Sequence, residues 1–311
     1  MSILVIGSLN ADRAFHLPRA PEAGETLTAH HMALAAGGKG ANQAVAAARA
    51  SRAARSVRMI GRVGADGDGE MMRAALIEAG VDAIGVQALP DRPTGTAFIV
   101  VEETGENRII VSPGANEGLS PADIEAEDFA DAGMVLLQLE VPLATVGAAA
   151  QKAAREGRTV ILDPAPAVPL SQTLIAAAAL LTPNRTELAT LLGVAPPAEG
   201  VPHGELADLA RRLIHGEDQA VIVKLGAEGA LHVTETTHTH WPAHPVTHIR
   251  DTTAAGDAWN GAFAVALAEG RPLSEAGQFA CTAAALAVTR PGAIPSLAAR
   301  TEIEAAFTAQ D

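Results

Sequence analysis

Asp251-Thr252-Thr253-Ala254-Ala255-Gly256-Asp257 puts a carboxylate directly after three small residues, between a β-rich run and a long apolar, Ala-rich run, Ala258 to Val288. A helix that begins here leaves its first N–H groups uncovered by side chains. Such unpaired donors, at the positive end of the helix dipole, attract an anion such as phosphate. Asp257 could then take a proton from a hydroxyl while the amides hold a transferring phosphoryl group. A glycine-containing turn with an aspartate cap accounts for the same residues without chemistry.

Other polar residues fall where strands should end. Ile3-Leu4-Val5-Ile6-Gly7 reads as a fully buried strand, and Asn10 and Asp12 follow it at once. Glu140, Asp163, Asn184 and Gly226 close later apolar runs in the same way. In a parallel sheet these positions gather along one edge, where open α/β sheets bind their ligands. Gly37-Gly38-Lys39-Gly40-Ala41-Asn42-Gln43 precedes a helical pattern from Ala44 to Ala54. It lacks Walker A spacing, but it is a second helix start with exposed donors, and Asn42 can both donate to and accept from hydroxyls. Asp66 to Glu70 resembles a calcium loop without its twelfth-position ligand, so a polar helix start is the reading. His238, His240, His244 and His248 do not complete a metal set, because Pro242 and Pro245 forbid one helix face.

The elements that must carry these residues alternate. Strands are expected at Val57–Gly61, Met134–Leu139, Thr159–Leu162, Leu180–Thr182 and Ala220–Leu225, with helices at Met71–Ala79, Leu143–Glu156 and Leu206–His215. That rhythm implies an α/β fold with a mostly parallel sheet and right-handed crossovers. Thr94–Val101 and Asn107–Val111, joined through Thr104-Gly105, read as a hairpin outside the rhythm. With about residues 13–32, which contain Pro18, Pro21 and Gly24, it forms a small β appendage, roughly 13–32 and 94–112.

A chain of 311 residues with 48% hydrophobic and 19% charged residues can bury a large core, built chiefly from Ala, Val, Leu and Ile since aromatics are 3%. A net charge of −14 argues against nucleic acid or an anionic membrane as the main partner. The single cysteine, Cys281, permits no internal disulfide, and the N-terminus lacks the pattern of a signal peptide; both fit a cytoplasmic location.

Taken together and in order, several segments resemble the ribokinase group of the PfkB carbohydrate-kinase family. They are Gly7 to Asp12, Pro21 to Thr26, Gly37 to Ala44, Gly105 to Val111, Gly114 to Asn116, Asp163 to Ala167, Thr182 to Glu187, Asp251 to Asp257 and Ala287 to Ser296. The resemblance spans essentially the whole chain as one domain, 1–311. It implies a doubly wound sheet flanked by helices, with a β-sheet lid that serves as a homodimer clasp, and transfer of the ATP γ-phosphoryl group to the 5-hydroxyl of ribose. By position it implies a sugar site of Asn10, Asp12, Gly38, Lys39, Gly40, Ala41, Asn42 and Glu140. Asp257 would be the base, with Ala254, Ala255, Gly256 and Asp257 forming an anion hole. Asn184 and Glu187 fall in the stretch associated with nucleotide phosphates and Mg2+. Lys224, Gly226, Gly229, Gly256 and Cys281 fall on the nucleotide side. Asp251, Thr253, Ala287, Arg290, Gly292 and Ser296 match a monovalent-cation loop that typically takes K+, several through backbone carbonyls. The chain departs from the family at Lys224, where Thr is frequent, at Cys281, where His is frequent, and at Ala258-Trp259, where Thr-Phe is common. Two other readings stand beside ribose phosphorylation. One is a kinase for fructose, 2-deoxyribose or a nucleoside. The other is a silent ligand-binding regulator, against which the intact Asp257 turn argues.

Overall fold

A computed structural model describes residues 2–53, 56–104 and 107–308. It is an α/β fold with two sheets. In chain order the elements are β1 (Ser2–Ile6), β2 (Asn10–Leu17), β3 (His31–Gly37), α1 (Lys39–Ala50), β4 (Val57–Gly64), α2 (Gly67–Glu78), β5 (Val86–Leu89), β6 (Gly95–Glu102) and β7 (Asn107–Ser112). There follow α3 (Pro121–Ala126), β8 (Ala132–Leu137), α4 (Leu143–Arg155), β9 (Thr159–Leu162), α5 (Gln172–Ala177), β10 (Leu180–Leu181), α6 (Arg185–Leu192) and α7 (His203–Arg211). The chain closes with β11 (Ala220–Lys224), β12 (Ala230–Val233), β13 (His238–Trp241), α8 (Ala255–Ala268), α9 (Leu273–Ala287) and α10 (Arg300–Thr308).

The large sheet has nine strands in the order β13-β12-β11-β10-β9-β8-β1-β4-β5. Pairing is parallel from β5 through to β11, and β12 and β13 add an antiparallel end. Alternate residues of β1 serve two cores: Ile3 and Val5 pack with α1, α8 and α9, whereas Leu4 and Ile6 pack with α4 and α7. Burial on both faces is why β1 reads as an unbroken apolar run. Strand order reverses at β1, whose neighbours are β4 and β8, and a crevice opens there beyond the carboxyl ends. The small sheet, β3-β2-β6-β7, rises over that edge from the β1–β2 junction.

Three sequence expectations shift. The helix expected at Ala44 starts five residues earlier, because its glycine-rich first turn is satisfied by outside acceptors: Lys39 N–H donates to Glu140, and Ala41 N–H to Ser8 O. The expected end at Ala54 lies outside the described residues. The long apolar run is two helices, broken where Gly270 turns left-handed (φ 80°) and Pro272 precedes α9. The segment 13–32, expected as part of the β appendage, belongs to it with wider bounds: β2 begins at Asn10, β3 runs to Gly37, and most of the stretch between them is irregular. Of the expected hairpin turn, Thr104-Gly105, Gly105 lies outside the described residues. Asp66 caps α2 by accepting from Gly69 N–H at 2.8 Å, as a polar helix start should.

Candidate functional site

At the start of α8 the chain turns through Ala254, whose φ of 59° is the only positive value at a non-glycine among the described residues. This corner points the first turn of α8 into the crevice. Ala255 N–H donates to Thr252 O at 3.3 Å, so it is less available than the sequence implied. Gly256 and Asp257 are first-turn residues whose amides have no intrahelical acceptor. Asp257 is buried, and both its oxygens are gripped from α1: Oδ2 accepts from Asn42 Nδ2 at 2.9 Å and Oδ1 from Gln43 Nε2 at 3.0 Å. Burial raises its pKa, Lys39 opposes that, Asp163 adds to it, and the two amide donors pull it back. The buried Oδ1 of Asn42 has no hydrogen-bond partner among the described residues, so an acceptor is left beside Asp257.

The loop between β3 and α1 depends on glycine in two ways. Gly38 has φ 87°, and a Cβ at Gly40 would lie 2.6 Å from Gly7 C and Ser8 N. That close approach brings the start of α1 against the end of β1. Ser8 Oγ donates to Glu140 Oε2 at 2.6 Å, and Lys39 N–H reaches the same oxygen at 3.0 Å. Burial pulls the Lys39 pKa down, but Asp257, Asp163, Glu140 and Glu187 outweigh it and the net direction is upward, so its ammonium is charged.

The lid contributes Asn10 and Asp12. Asn10 Oδ1 is held by Asn116 Nδ2 at 2.8 Å, and Asn116 also brackets Leu9 through N–H and O. Gly37 leaves room for the Asp12 carboxylate, which would lie 2.0 Å from a Cβ there. Burial first, then Glu140 and Asp257, push the Asp12 pKa up to about 7. Asn10, Glu140 and Asn116 border a cavity of about 580 Å³ under the lid.

A larger cavity of about 810 Å³ runs from Lys39 and Asp257 past Lys224, Gly226 and Gly229 to Trp259, Cys281 and Val288. Lys224 Nζ pairs with Asp163 Oδ1 at 2.7 Å and stands 3.3 Å from where a Cβ on Gly256 would be. Asn184 and Glu187 form a reciprocal cap on α6, Asn184 Oδ1 accepting from Glu187 N–H at 2.8 Å and Glu187 Oε2 from Asn184 N–H at 2.7 Å. Burial raises the Glu187 pKa, with Asp163 adding and Lys224 and Lys39 opposing. A cation at its second oxygen would relieve that burial. Few carboxylates, with room for water and phosphate, are what Mg2+ requires. Cys281 is buried, and burial pushes its thiol up to about 11, so it faces the cavity as a neutral group.

Of the six cation-loop residues, Asp251, Thr253 and Gly292 are tied directly to one another. Asp251 Oδ1 accepts from Thr253 N–H (2.9 Å) and Oγ (2.6 Å), and Oδ2 accepts from Gly292 N–H at 2.7 Å. Arg250 and Asp251 N–H both bond Val288 O, and Arg290 N–H bonds Ala287 O. Burial works against the Asp251 charge, yet these donors hold its pKa below the ordinary value. The carboxylate retains acceptor capacity next to backbone carbonyls, a donor set that suits a monovalent cation. The Arg290 guanidinium instead pairs with Glu302, and Ser296 Oγ donates to Ala293 O, so neither side chain is turned to that use.

Sequence reasoning assigns no individual role to Ser8, Gln43, Asn116 or Gln138, although all are buried at the crevice. Asp163, buried there too, is the strand-end carboxylate that the sequence places at that edge without a specific role.

The model of the pfkB family of carbohydrate kinases matches residues 1–300. The chain is 38% identical to the ribokinase of Schizosaccharomyces pombe, over 99% of this chain and 98% of that one. Its fold matches the ribokinase of Thermotoga maritima with a TM-score of 0.87 at 36% identity, covering 99% of both chains. It matches the Arabidopsis thaliana ribokinase complexed with ribose and ATP with a TM-score of 0.86 at 33% identity, covering 98% of each.

Proposed function

The chain belongs to the pfkB family of carbohydrate kinases, and from that premise we propose that it transfers the γ-phosphoryl group of ATP to the 5-hydroxyl of D-ribose, with Asp257 as the base. The observation that carries this reading is Asp257 itself: a buried carboxylate at a helix start, with an oxygen on each of two amide donors and a charged lysine beside it. Each oxygen accepts one bond from these amides, which leaves lone pairs for a sugar hydroxyl.

Asn10 and Glu140 hold the sugar from the small cavity, Asp12 and Asn42 complete its polar contacts, and Gly38, Gly40 and Ala41 supply the close backbone. The hydroxyl passes its proton to Asp257 as its oxygen attacks phosphorus. Negative charge on the transferring group meets the Gly256 and Asp257 amides, the α8 dipole, Lys39 and Lys224. The adenosine end lies along Gly226, Gly229 and Cys281. Asn184 and Glu187 would hold Mg2+, largely through water, and the ion would neutralise phosphate charge. The Asp251–Thr253 and Ala287–Ser296 loops would hold K+, which would stiffen the turn that leads into α8.

The lid is proposed to close a homodimer. Leu34, Phe98 and Ile110 lie in register across it on one face and are exposed, whereas Asp12, Ala97 and Val111 share the face toward the sugar. Sedimentation of wild type against Ile110→Glu checks this, and a monomeric wild type rejects it. The reaction itself is tested by ADP release with ribose, 2-deoxyribose, fructose and nucleosides, with and without K+. Ribose should give the highest kcat/KM. A tenfold preference for another acceptor, or no sugar-dependent ADP, overturns the reading.

A further inference from the structure

Between the Asp257 base and the Lys224 ammonium lies a buried side chain that lines neither cavity. Gln43, near the start of α1, directs both N–H bonds of its amide at carboxylates: Nε2 lies 2.9 Å from Asp163 Oδ2 and 3.0 Å from Asp257 Oδ1. Its carbonyl accepts from Gln138 Nε2 at 2.7 Å, so every polar atom of the amide is used. The other oxygen of Asp163 carries Lys224 at 2.7 Å. One continuous chain therefore runs Gln138, Gln43, Asp163 and Lys224, with Asp257 branching from Gln43.

Two carboxylates that share one amide repel each other and would drift or take up a proton without it. An amide suits this place because it gives two donors with no charge of its own. We propose that Gln43 is a positioning residue for phosphoryl transfer: it holds Asp257 and the Asp163–Lys224 pair in one register, so that base and phosphate-facing cation are set together. This rests on the kinase reading above.

The charged groups around Asp257 come from several elements. Lys39 stands on α1, Asp163 follows β9, Lys224 ends β11, Glu187 is on α6, and Asp12 and Glu140 face it from β2 and from beyond β8. Burial raises the Asp257 pKa and Gln43 is one of the donors that lower it. Loss of the donor moves the pKa further up, and a base must be unprotonated, so the acid limb of kcat moves to higher pH.

The test compares wild type, Gln43→Met, Asp163→Asn and Gln43→Met/Asp163→Asn, using whichever sugar the wild type phosphorylates fastest. Gln43→Met keeps the volume and removes the donors. It should lower kcat roughly 10- to 100-fold, leave sugar and ATP KM within about threefold, and shift the acid limb upward by about half a unit or more. In the double variant the neutral amide introduced at position 163 removes the repulsion, while its carbonyl can still accept from Lys224. That variant should recover part of kcat and move the limb back. Far-UV circular dichroism and sugar binding of each variant show whether it is folded, and Gln43→Asn, with a shorter donor, replaces any variant that is not. Equal kcat and an unmoved limb in Gln43→Met overturn the proposal, as does a double variant whose losses simply add. A wild type that turns over no sugar overturns instead the kinase reading on which it stands.

Discussion

The two sheets answer the same problem, a β surface that must be covered, in opposite ways. The nine-stranded sheet is sealed by helices on both faces, and even a lysine among them is enclosed: Lys152, on α4, is buried and donates to the carbonyls of Ile124, Glu125 and Glu127 at 2.7–3.1 Å. The four-stranded sheet leaves Leu34, Phe98, Ile109 and Ile110 exposed, and it joins the body through a few polar ties at its root. Arg13 pairs with Asp68 at 2.7 Å, Asp66 accepts from Thr94 N–H and Oγ at 2.8 and 2.6 Å, and Asn116 brackets Leu9. On the reading proposed above, the crevice takes its base and anion cradle from the sealed half and part of its sugar contact from the exposed half. Chemistry and enclosure would thereby fall to separate parts of the fold, as a water-excluding lid requires.

The comparison predicts that damage to the sealed half is the more severe. Asp257→Asn should lower kcat by roughly 10²–10⁴-fold while sugar binding and fold persist; near-normal ADP release in a coupled assay would remove Asp257 from its role. Lys152→Met takes the ammonium from the buried Ile124 carbonyl and the part-buried Glu125 and Glu127 carbonyls and should reduce unfolding free energy by about 1–3 kcal/mol in urea. A change under about 0.5 kcal/mol would mean that water replaces the ammonium readily.

Lid effects should be smaller and appear in sugar affinity. Asp12, a proposed sugar contact, accepts through both oxygens only when ionised, and its pKa is pushed up to about 7. Sugar kcat/KM should therefore fall as pH drops through about 7, roughly tenfold from about pH 8 to about pH 6, and Asp12→Asn should lose that limb. The same limb in Asp12→Asn would assign it elsewhere. Smallest of all, Arg13→Met removes a partly exposed ion pair and should raise sugar KM about two- to fivefold with kcat and melting midpoint unchanged. A drop in kcat instead would show that the lid's root also governs the chemistry.

The halves were also unequally legible in the sequence. The βα rhythm and the extent of β9 could be read because a fully buried parallel strand is an unbroken apolar run between turn residues. Asp257 stood out because its helix start is local, a single short run of consecutive residues. Gln43 did not, because its meaning lies in Asp163 and Asp257, 120 and 214 residues away. Asn116 likewise works on Leu9 across 107 residues. β5 escaped because four residues with two exposed members carry neither alternation nor a continuous apolar run. The glycine-rich start of α1 was legible as a helix start, but its ties to Ser8 and Glu140 were not, because those partners lie in separate segments of the chain.

The left-handed corner at Ala254 leaves evolution little vocabulary. A side chain branched at Cβ is barred by the backbone there, and a long one would crowd the adjoining cavity. Drift at this position runs most comfortably toward glycine, with Asn and Asp next, and a glycine there would relieve the left-handed strain while freeing the turn that leads into α8.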